Sequence, residues 1–234
     1  MTDWFAGEVA ARYDAETAEM PVVPVVDFLL PLAGGGALEL AIGTGRIAVP
    51  LAERGVHVAG IDLSPDMVAE LRKKPGGDAI PVAIGDMTTT RVEGTFSLAY
   101  VVYNSIFNLR TQERQVACFE NVSRHLGPGG AFVVEIMVPE LQRLPLGDRF
   151  LLFDAAPDHV GFDEYDLVTQ GLTSHHYDPE RGSYSTFPGR YIWPSELDLM
   201  ARLAGLELRE RWADWDRSPF TAESTKHVSV WEKP

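Results

Sequence analysis

Three residues in one short stretch have the types and spacing to hold a nucleoside. In "ALELAIGTGRIAVPLAERGVHVAGIDLS", residues 37–64, Gly43 and Gly45 follow an apolar run of strand length, and Asp62 ends the next apolar run, seventeen residues beyond Gly45. A strand that runs through a glycine turn into a helix brings bare backbone to a ligand at the helix N-terminus, because these glycines carry no Cβ. A carboxylate at the end of the following strand accepts the two hydroxyl hydrogens of a ribose. An adenosine group satisfies both features. Asp86, in "IGDM", closes a third apolar run, where it can accept from an adenine amino group with Met87 against the ring. Glu39 lies inside the first run, and a carboxylate just short of the turn suits an ammonium group better than a pyrophosphate.

Two ligand classes share this geometry. "GTGRIA" satisfies the loose G-x-G-x-x-A form of the dinucleotide fingerprint, so a nicotinamide-dependent oxidoreductase is the alternative reading. Glu39, Asp86 and an antiparallel end to the sheet weigh against it.

The elements that must position these residues follow from hydrophobic patterning. Apolar runs of strand length alternate with amphipathic stretches from residue 37 onward, which predicts a doubly wound α/β sheet with helices on both faces. Predicted strands are "ALELAI", "VHVAGID", "AIPVAIGD", "FSLAYVVY" and "AFVVEIMV". Predicted helices are "RIAVPLAERG", "SPDMVAELRKK" with Ser64 as N-cap and Pro65 at the first helical position, and "TQERQVACFENVSRHLGPGG", closed by glycine and proline. After Pro139 the alternation lapses, and pieces rich in Thr, Tyr, Phe and Val predict an antiparallel insertion of about three strands. "WPSELDLMARLAGL" is then a helix, and "LELRERWADW" and "KHVSVWEK" are two last strands at an antiparallel edge. At the other end "WFAGEVAARYDAETAEM" predicts one amphipathic helix outside the sheet. The expected fold is a seven-stranded, mostly parallel sheet with an antiparallel last strand and a β insertion after strand 5. It divides one domain, residues 1–234, into a helical lid (1–33), a cofactor-binding half (34–138), the insertion (139–193) and the last helix and strands (194–234).

Composition narrows the function classes. Twenty basic and thirty-four acidic residues give a formal charge of −14, which repels phosphate backbones and anionic membranes, so neither nucleic acid nor membrane is expected as partner. No apolar run is long enough to span a bilayer, and the acidic start does not read as a signal peptide, so a cytoplasmic location is expected. The single cysteine, Cys118, excludes an intrachain disulfide and, without clustered partners, a zinc site; no metal is expected.

Four stretches in order, "LELAIGTGR", "GIDLSPDMV", "GDM" and "HLGPGGAFVVE", resemble the motifs of class I methyltransferases that use S-adenosylmethionine, over about residues 37–138 and again 194–234. The resemblance implies that Glu39, Gly43 and Gly45 surround the methionine portion, with Ala41 and Thr44 completing the turn. It implies Asp62 on the ribose, Leu63 and Met67 beside the adenine, and Asp86 on its amino group. "VYNSIFNL", from Val102, is similar to the loop after the fourth strand that faces both cofactor and substrate in small-molecule members. Tyr13, in "ARYD", resembles a lid tyrosine. Ala41 departs from the family, which usually has glycine there.

What the resemblance implies chemically is in-line displacement from a sulfonium, with S-adenosylhomocysteine as product and a small-molecule O, N or C acceptor such as a natural-product or amino-sugar intermediate. Alignment supplies roughly 7–11 kcal/mol of such a barrier, whereas a placed base adds about two to four powers of ten, so no triad is needed. Candidate catalytic groups are Tyr103 and Asn104, and His175 or His176, whose side chains point to opposite faces of a strand so that at most one faces the pocket. The bland reading puts both histidines on the surface of the insertion. Glu135 reads equally as a substrate contact and as a buried structural acid. Tyr165, Tyr177, Tyr184, Tyr191 and Trp193 are a substrate roof or ordinary packing, and Trp4 and Phe5 close the site or dock the first helix. The insertion covers substrate or makes a subunit contact, which leaves a homodimer open. A protein that binds the cofactor without transferring a methyl is the third reading.

Overall fold

The computed structural model describes residues 3–234. In chain order the elements are α1 (Glu8–Glu16), α2 (Val23–Leu29), β1 (Ala37–Leu40), α3 (Ala48–Glu53), β2 (Val58–Asp62), α4 (Pro65–Arg72), β3 (Val82–Ile84), β4 (Phe96–Val101), α5 (Gln112–His125), β5 (Leu126–Met137), β6 (Phe150–Ala155), β7 (Val160–Asp166), β8 (Gly171–Asp178), β9 (Ser183–Arg190), α6 (Pro194–Leu203), β10 (Glu207–Trp212) and β11 (Lys226–Glu232).

The main sheet has seven strands in the order β10-β11-β5-β4-β1-β2-β3, and only β11 runs against the rest. Every residue of β1 and β2 is buried, as unbroken apolar runs covered on both faces must be. The chain leaves β1 in one direction through β2 and β3, and returns on its other side through β4 and β5. A crevice therefore opens beyond the carboxyl ends of β1 and β4, where doubly wound sheets bind ligands. One face of the sheet carries Leu38, Val101 and Phe132 against Phe119 of α5 and Leu197 of α6. The other carries Leu98, Tyr100 and Val133 against Val25 and Phe28 of α2 and Leu51 of α3.

Local signals account for the helices next to the crevice. Ser64 accepts the N–H of Met67 at 3.3 Å, Pro65 opens α4, and Arg72 in its last turn donates to the carbonyls of Gly77 and, at 2.7 Å, Ile80. Thr111 caps α5 through the N–H of Arg114 at 3.3 Å. Cys118 is buried in α5, and burial pushes its thiol up to about 12.

Three features differ from the sequence reading. The N-terminal stretch holds two helices, because the apolar run "VVPVVDFLL" makes α2, which seats Val25, Val26, Phe28 and Leu29 in the core. Helix α5 ends at His125, and β5 begins at once through "LGPGG", with the register slipping between Leu126 and Ala131 where Gly129 turns at φ +74°. The insertion is a four-stranded meander, β6-β7-β8-β9, since Asp166 folds the chain back by accepting from the N–H of Val168 at 2.9 Å and the hydroxyl of Thr169 at 2.6 Å. The last two strands do pair antiparallel at the end of the sheet, but with β10 outermost and β11 between it and β5, buried over five consecutive residues.

The insertion is tied to the main sheet by a buried polar knot. Arg190, at the end of β9 and 5% exposed, pairs with Glu196 of α6 at 2.7 Å and donates to Gln115 of α5 at 2.5 Å and to Gln170 at 3.0 Å. Gln170 in turn donates to Glu196 at 2.9 Å. Each charged group has its opposite and its hydrogen bonds, the condition under which a buried ion pair is tolerated.

Candidate functional site

The crevice holds a cavity of about 390 Å³ bounded by the β1–α3 turn, the end of β2, the β3 loop, the tip of β4 and the N-terminal segment. That volume falls in the range of small-molecule sites. Eleven of the twelve sequence-proposed cofactor residues line it; Gly45 does not.

The turn is built from three successive left-handed kinks, Ala41 (φ +53°), Gly43 (φ +55°) and Gly45 (φ +73°). A Cβ on Gly43 would stand 3.1 Å from the methyl of Met67, a wall of the cavity. A Cβ on Gly45 would stand 2.3 Å from Leu71, so this glycine lets α4 pack behind the turn. Ala41 occupies a conformation that costs an L-residue about 1–2 kcal/mol.

Two buried carboxylates face the turn. Asp62 ties it shut, its Oδ2 accepting from the N–H of Gly43 at 2.6 Å and its Oδ1 from the N–H of Ser64 at 2.8 Å. Burial raises its pKa, against those two hydrogen bonds. Glu39, 3% exposed, accepts from the hydroxyl of Tyr100 at 2.9 Å, and burial pushes it up to about 8 even with that bond and nearby Arg46 pulling the other way. Burial raises both acids, which opposes carrying negative charge there without a cation beside it. A cationic ligand would supply one.

At the other end Asp86 is held differently. Burial alone would raise it, but the N–H of Thr88 at 2.9 Å, the hydroxyl of Thr88 at 2.8 Å and the guanidinium of Arg114 outweigh burial and keep it below the usual carboxylate range. It stands ionised beside Met87, which lines the same end.

The N-terminal segment closes the cavity. Asp14 of α1 accepts from the hydroxyl of Thr44 in the turn at 2.6 Å and pairs with Lys74 at 2.7 Å, while the N–H of Gly7 donates to Asp66 of α4 at 2.7 Å. Tyr13 lies edge-on to Phe5 at 6.2 Å, and burial raises its hydroxyl to about 12. Phe5 stacks at 6.2 Å on Phe187 of β9, so lid and insertion touch.

Of the catalytic candidates, Tyr103 alone lines this cavity. Tyr103 and Asn104 are consecutive left-handed residues, φ +55° and +58°, at the tip after β4. The tip is pinned from β5: Oε2 of Glu135 accepts the N–H of Tyr103 at 2.9 Å, and Oδ1 of Asn104 accepts the N–H of Met137 at 2.7 Å. Such strain collects at functional sites. Asn104 borders a second cavity behind the tip.

The structure does not bring His175 and His176 to either cavity. They point to opposite faces of β8. His175 stacks on Phe162 at 4.5 Å, and His176 meets His159 at 2.9 Å, which in turn meets Asp154 at 2.7 Å. Burial and then His159 lower the pKa of His176. Tyr165 and Tyr191 are core residues, whereas Tyr177, Tyr184 and Trp193 are exposed; none lines a cavity.

Sequence reasoning passed over Arg46 and Arg114, which both line the cavity. Each is a basic residue at or just before a helix's first turn, where the macrodipole disfavours a cation, and that misplacement was the available signal.

Known proteins resemble this chain in sequence and in fold. A family model described as a methyltransferase domain matches residues 37–130. The cypemycin N-terminal methyltransferase of a Streptomyces species is 30% identical over 215 residues, which cover 87% of this chain and 85% of that protein. The solved structure of the CcbJ methyltransferase from Streptomyces caelestis superposes with a TM-score of 0.82 at 36% identity, covering 96% of each chain. An S-adenosylmethionine-dependent methyltransferase from Clostridium acetobutylicum shares the fold at a TM-score of 0.76 and 17% identity, covering 97% of this chain and 98% of that one.

Proposed function

The chain belongs to the class I S-adenosylmethionine-dependent methyltransferases, and on that premise we propose that it methylates an amine nitrogen of a small natural-product-like molecule. S-adenosylmethionine supplies an activated methyl on a sulfonium. The observation that carries the assignment of residues is the pair of raised acids, Glu39 and Asp62, facing a turn with no Cβ at Gly43. They supply negative charge where a donor that is cationic at sulfur and at its amino group needs it.

In this reading Glu39 holds the donor's ammonium, Asp62 its ribose hydroxyls, and Asp86 its adenine amino group, with Leu63 and Met67 against the ring. Ala41, Gly43 and Thr44 give the turn its close approach, Gly45 sets its packing, and Tyr13 with Phe5 excludes water from above. Val102 and Tyr103 form the wall from which the acceptor is presented. Alignment and exclusion of water carry the chemistry. The nitrogen acceptor follows from the similarity to an enzyme named for an N-terminus, which is an amine. The acidic chain, the cavity's size and its closed lid favour a small acceptor over nucleic acid; the reading takes residues 1–234 as one domain acting in the cytoplasm, with the insertion free to pair two copies.

The test is calorimetric titration with S-adenosylhomocysteine and with NADH, followed by product assay on a panel of amines. Binding of S-adenosylhomocysteine without NADH, and methyl transfer to nitrogen, is the expected result. Tight NADH binding, or donor binding with no methyl transferred to any amine nitrogen, would overturn it.

A further inference from the structure

The second cavity, about 370 Å³, shares two wall residues with the first, Arg46 and Tyr103, so the two spaces meet at the strained tip after β4. Its remaining wall combines apolar side chains, among them Met20, Val25, Met137 and Trp215, with the charged groups of Glu135, Glu140 and Lys226. Nothing in the donor-binding roles above uses it.

The charges in this wall are not equivalent. Lys226 is spent on Asp214 at 2.8 Å, and Glu140 on Arg143 at 2.5 Å. Arg46 donates to the carbonyl of Pro21 at 3.3 Å and lies over the ring of Tyr103, 5.9 Å from its centroid. Glu135 has no ion-pair partner among the described residues; its carboxylate accepts one hydrogen bond, from the backbone N–H of Tyr103. A carboxylate with one oxygen engaged keeps acceptor capacity on the other.

We propose that this second cavity seats the methyl acceptor, and that it takes an amine with an apolar body: the ammonium form docks against Glu135 at the junction and gives up one proton to water before its nitrogen lone pair takes the methyl, while the body lies against Met20, Val25 and Trp215. The proposal rests on the methyltransferase reading above. It makes Glu135 a specificity-determining residue with two separable duties: its carboxyl oxygen holds the Tyr103 tip, and its charge selects a cation. Glutamine can perform the first duty and not the second, because its amide oxygen still accepts the N–H of Tyr103.

The experiment uses the full chain saturated with S-adenosylhomocysteine and two nearly isosteric ligands, 2-phenylethylamine and 2-phenylethanol, titrated by saturation-transfer NMR and tryptophan fluorescence. The wild type should hold the amine about tenfold more tightly than the alcohol, the difference between a charge-assisted and a neutral hydrogen bond. Glu135→Gln should erase that preference while leaving the affinity for S-adenosylhomocysteine within about twofold. Should Glu135→Gln not fold, transfer of saturation from Met20 and Met137 methyl groups to the amine in the wild type still decides the location. Equal affinity for the two ligands, no binding of either at about 10 mM, contact only with methyl groups outside this cavity, or a preference kept in Glu135→Gln would each overturn the proposal. Failure of S-adenosylhomocysteine to bind would instead overturn the reading it rests on.

Discussion

Replacing Glu39 with glutamine at two pH values tests the electrostatics of the donor site. Burial holds Glu39 up at about 8, so at pH 7 the free protein carries it about ten parts protonated to one ionised. An ammonium set against it would return it to the ordinary carboxylate range near 4, where almost none is protonated at pH 7. Binding of S-adenosylhomocysteine at pH 7 should therefore release about 0.9 proton per site, read as the slope of observed enthalpy against buffer ionisation enthalpy. Ionising Glu39 at that pH costs about 1.4 kcal/mol. The charge-assisted hydrogen bond that the ammonium then makes is worth about 1.5–3 kcal/mol. Glu39→Gln should accordingly weaken binding by only about 0–2 kcal/mol at pH 7, more toward pH 8, and its proton release should fall. A carboxyl raised above its unfolded value stabilises fully below about 4.5, and this contribution declines as pH rises to about 8, by at most about 5 kcal/mol. Thermal melts of Glu39→Gln should lack that decline. A zero proton slope in the wild type at pH 7 would take the ammonium away from Glu39, and a slope unchanged by Glu39→Gln would move the proton to Asp62.

Three further outcomes are expected. Asp62→Ala strips the acceptor from the N–H groups of Gly43 and Ser64, which should cost about 1–3 kcal/mol in urea unfolding and weaken S-adenosylhomocysteine by about 1.5–3 kcal/mol; unchanged affinity would remove Asp62 from the ribose. Gly45→Ala drives a methyl into Leu71 in a left-handed conformation and should lose about 2–4 kcal/mol by denaturant midpoint, with Gly43→Ala losing less stability but more ligand affinity. Arg190→Met leaves Glu196 buried without its partner, for a loss of about 3–5 kcal/mol, and amide exchange should rise first in β8 and β9.

The main sheet was legible because its strands announce themselves twice, once as unbroken apolar runs and once by the caps and glycines between them. "ALELAI" and "VHVAGID" could hardly be anything but buried parallel strands, and Ser64-Pro65 marks the start of α4 by simple stereochemistry. The cavity's walls were readable for the same reason, since Gly43, Asp62 and Asp86 sit at strand ends whose position the fold dictates. What escaped notice depends on contacts distant in sequence. Whether His176 faces a cavity is decided by how the insertion sheet lies on the 3-10 turn at Ser105–Asn108 and on Phe5, which no local pattern encodes. The turn at Asp166 could not be told from the strands it joins, so about three strands were expected where four stand. The second cavity is formed by Met20, Glu135, Trp215 and Lys226, four residues drawn from across the chain.

The place of β11 bears on how this polypeptide emerges from the ribosome. Its partner β5 is complete some ninety residues earlier, yet one flank of β5, Ala131 to Met137, waits for Lys226 to Glu232 before its hydrogen bonds close. Throughout that interval the nascent chain exposes an unpaired apolar edge of the kind that invites pairing with a neighbouring molecule. The topology thus leaves that flank of the sheet open until the last strand slots in.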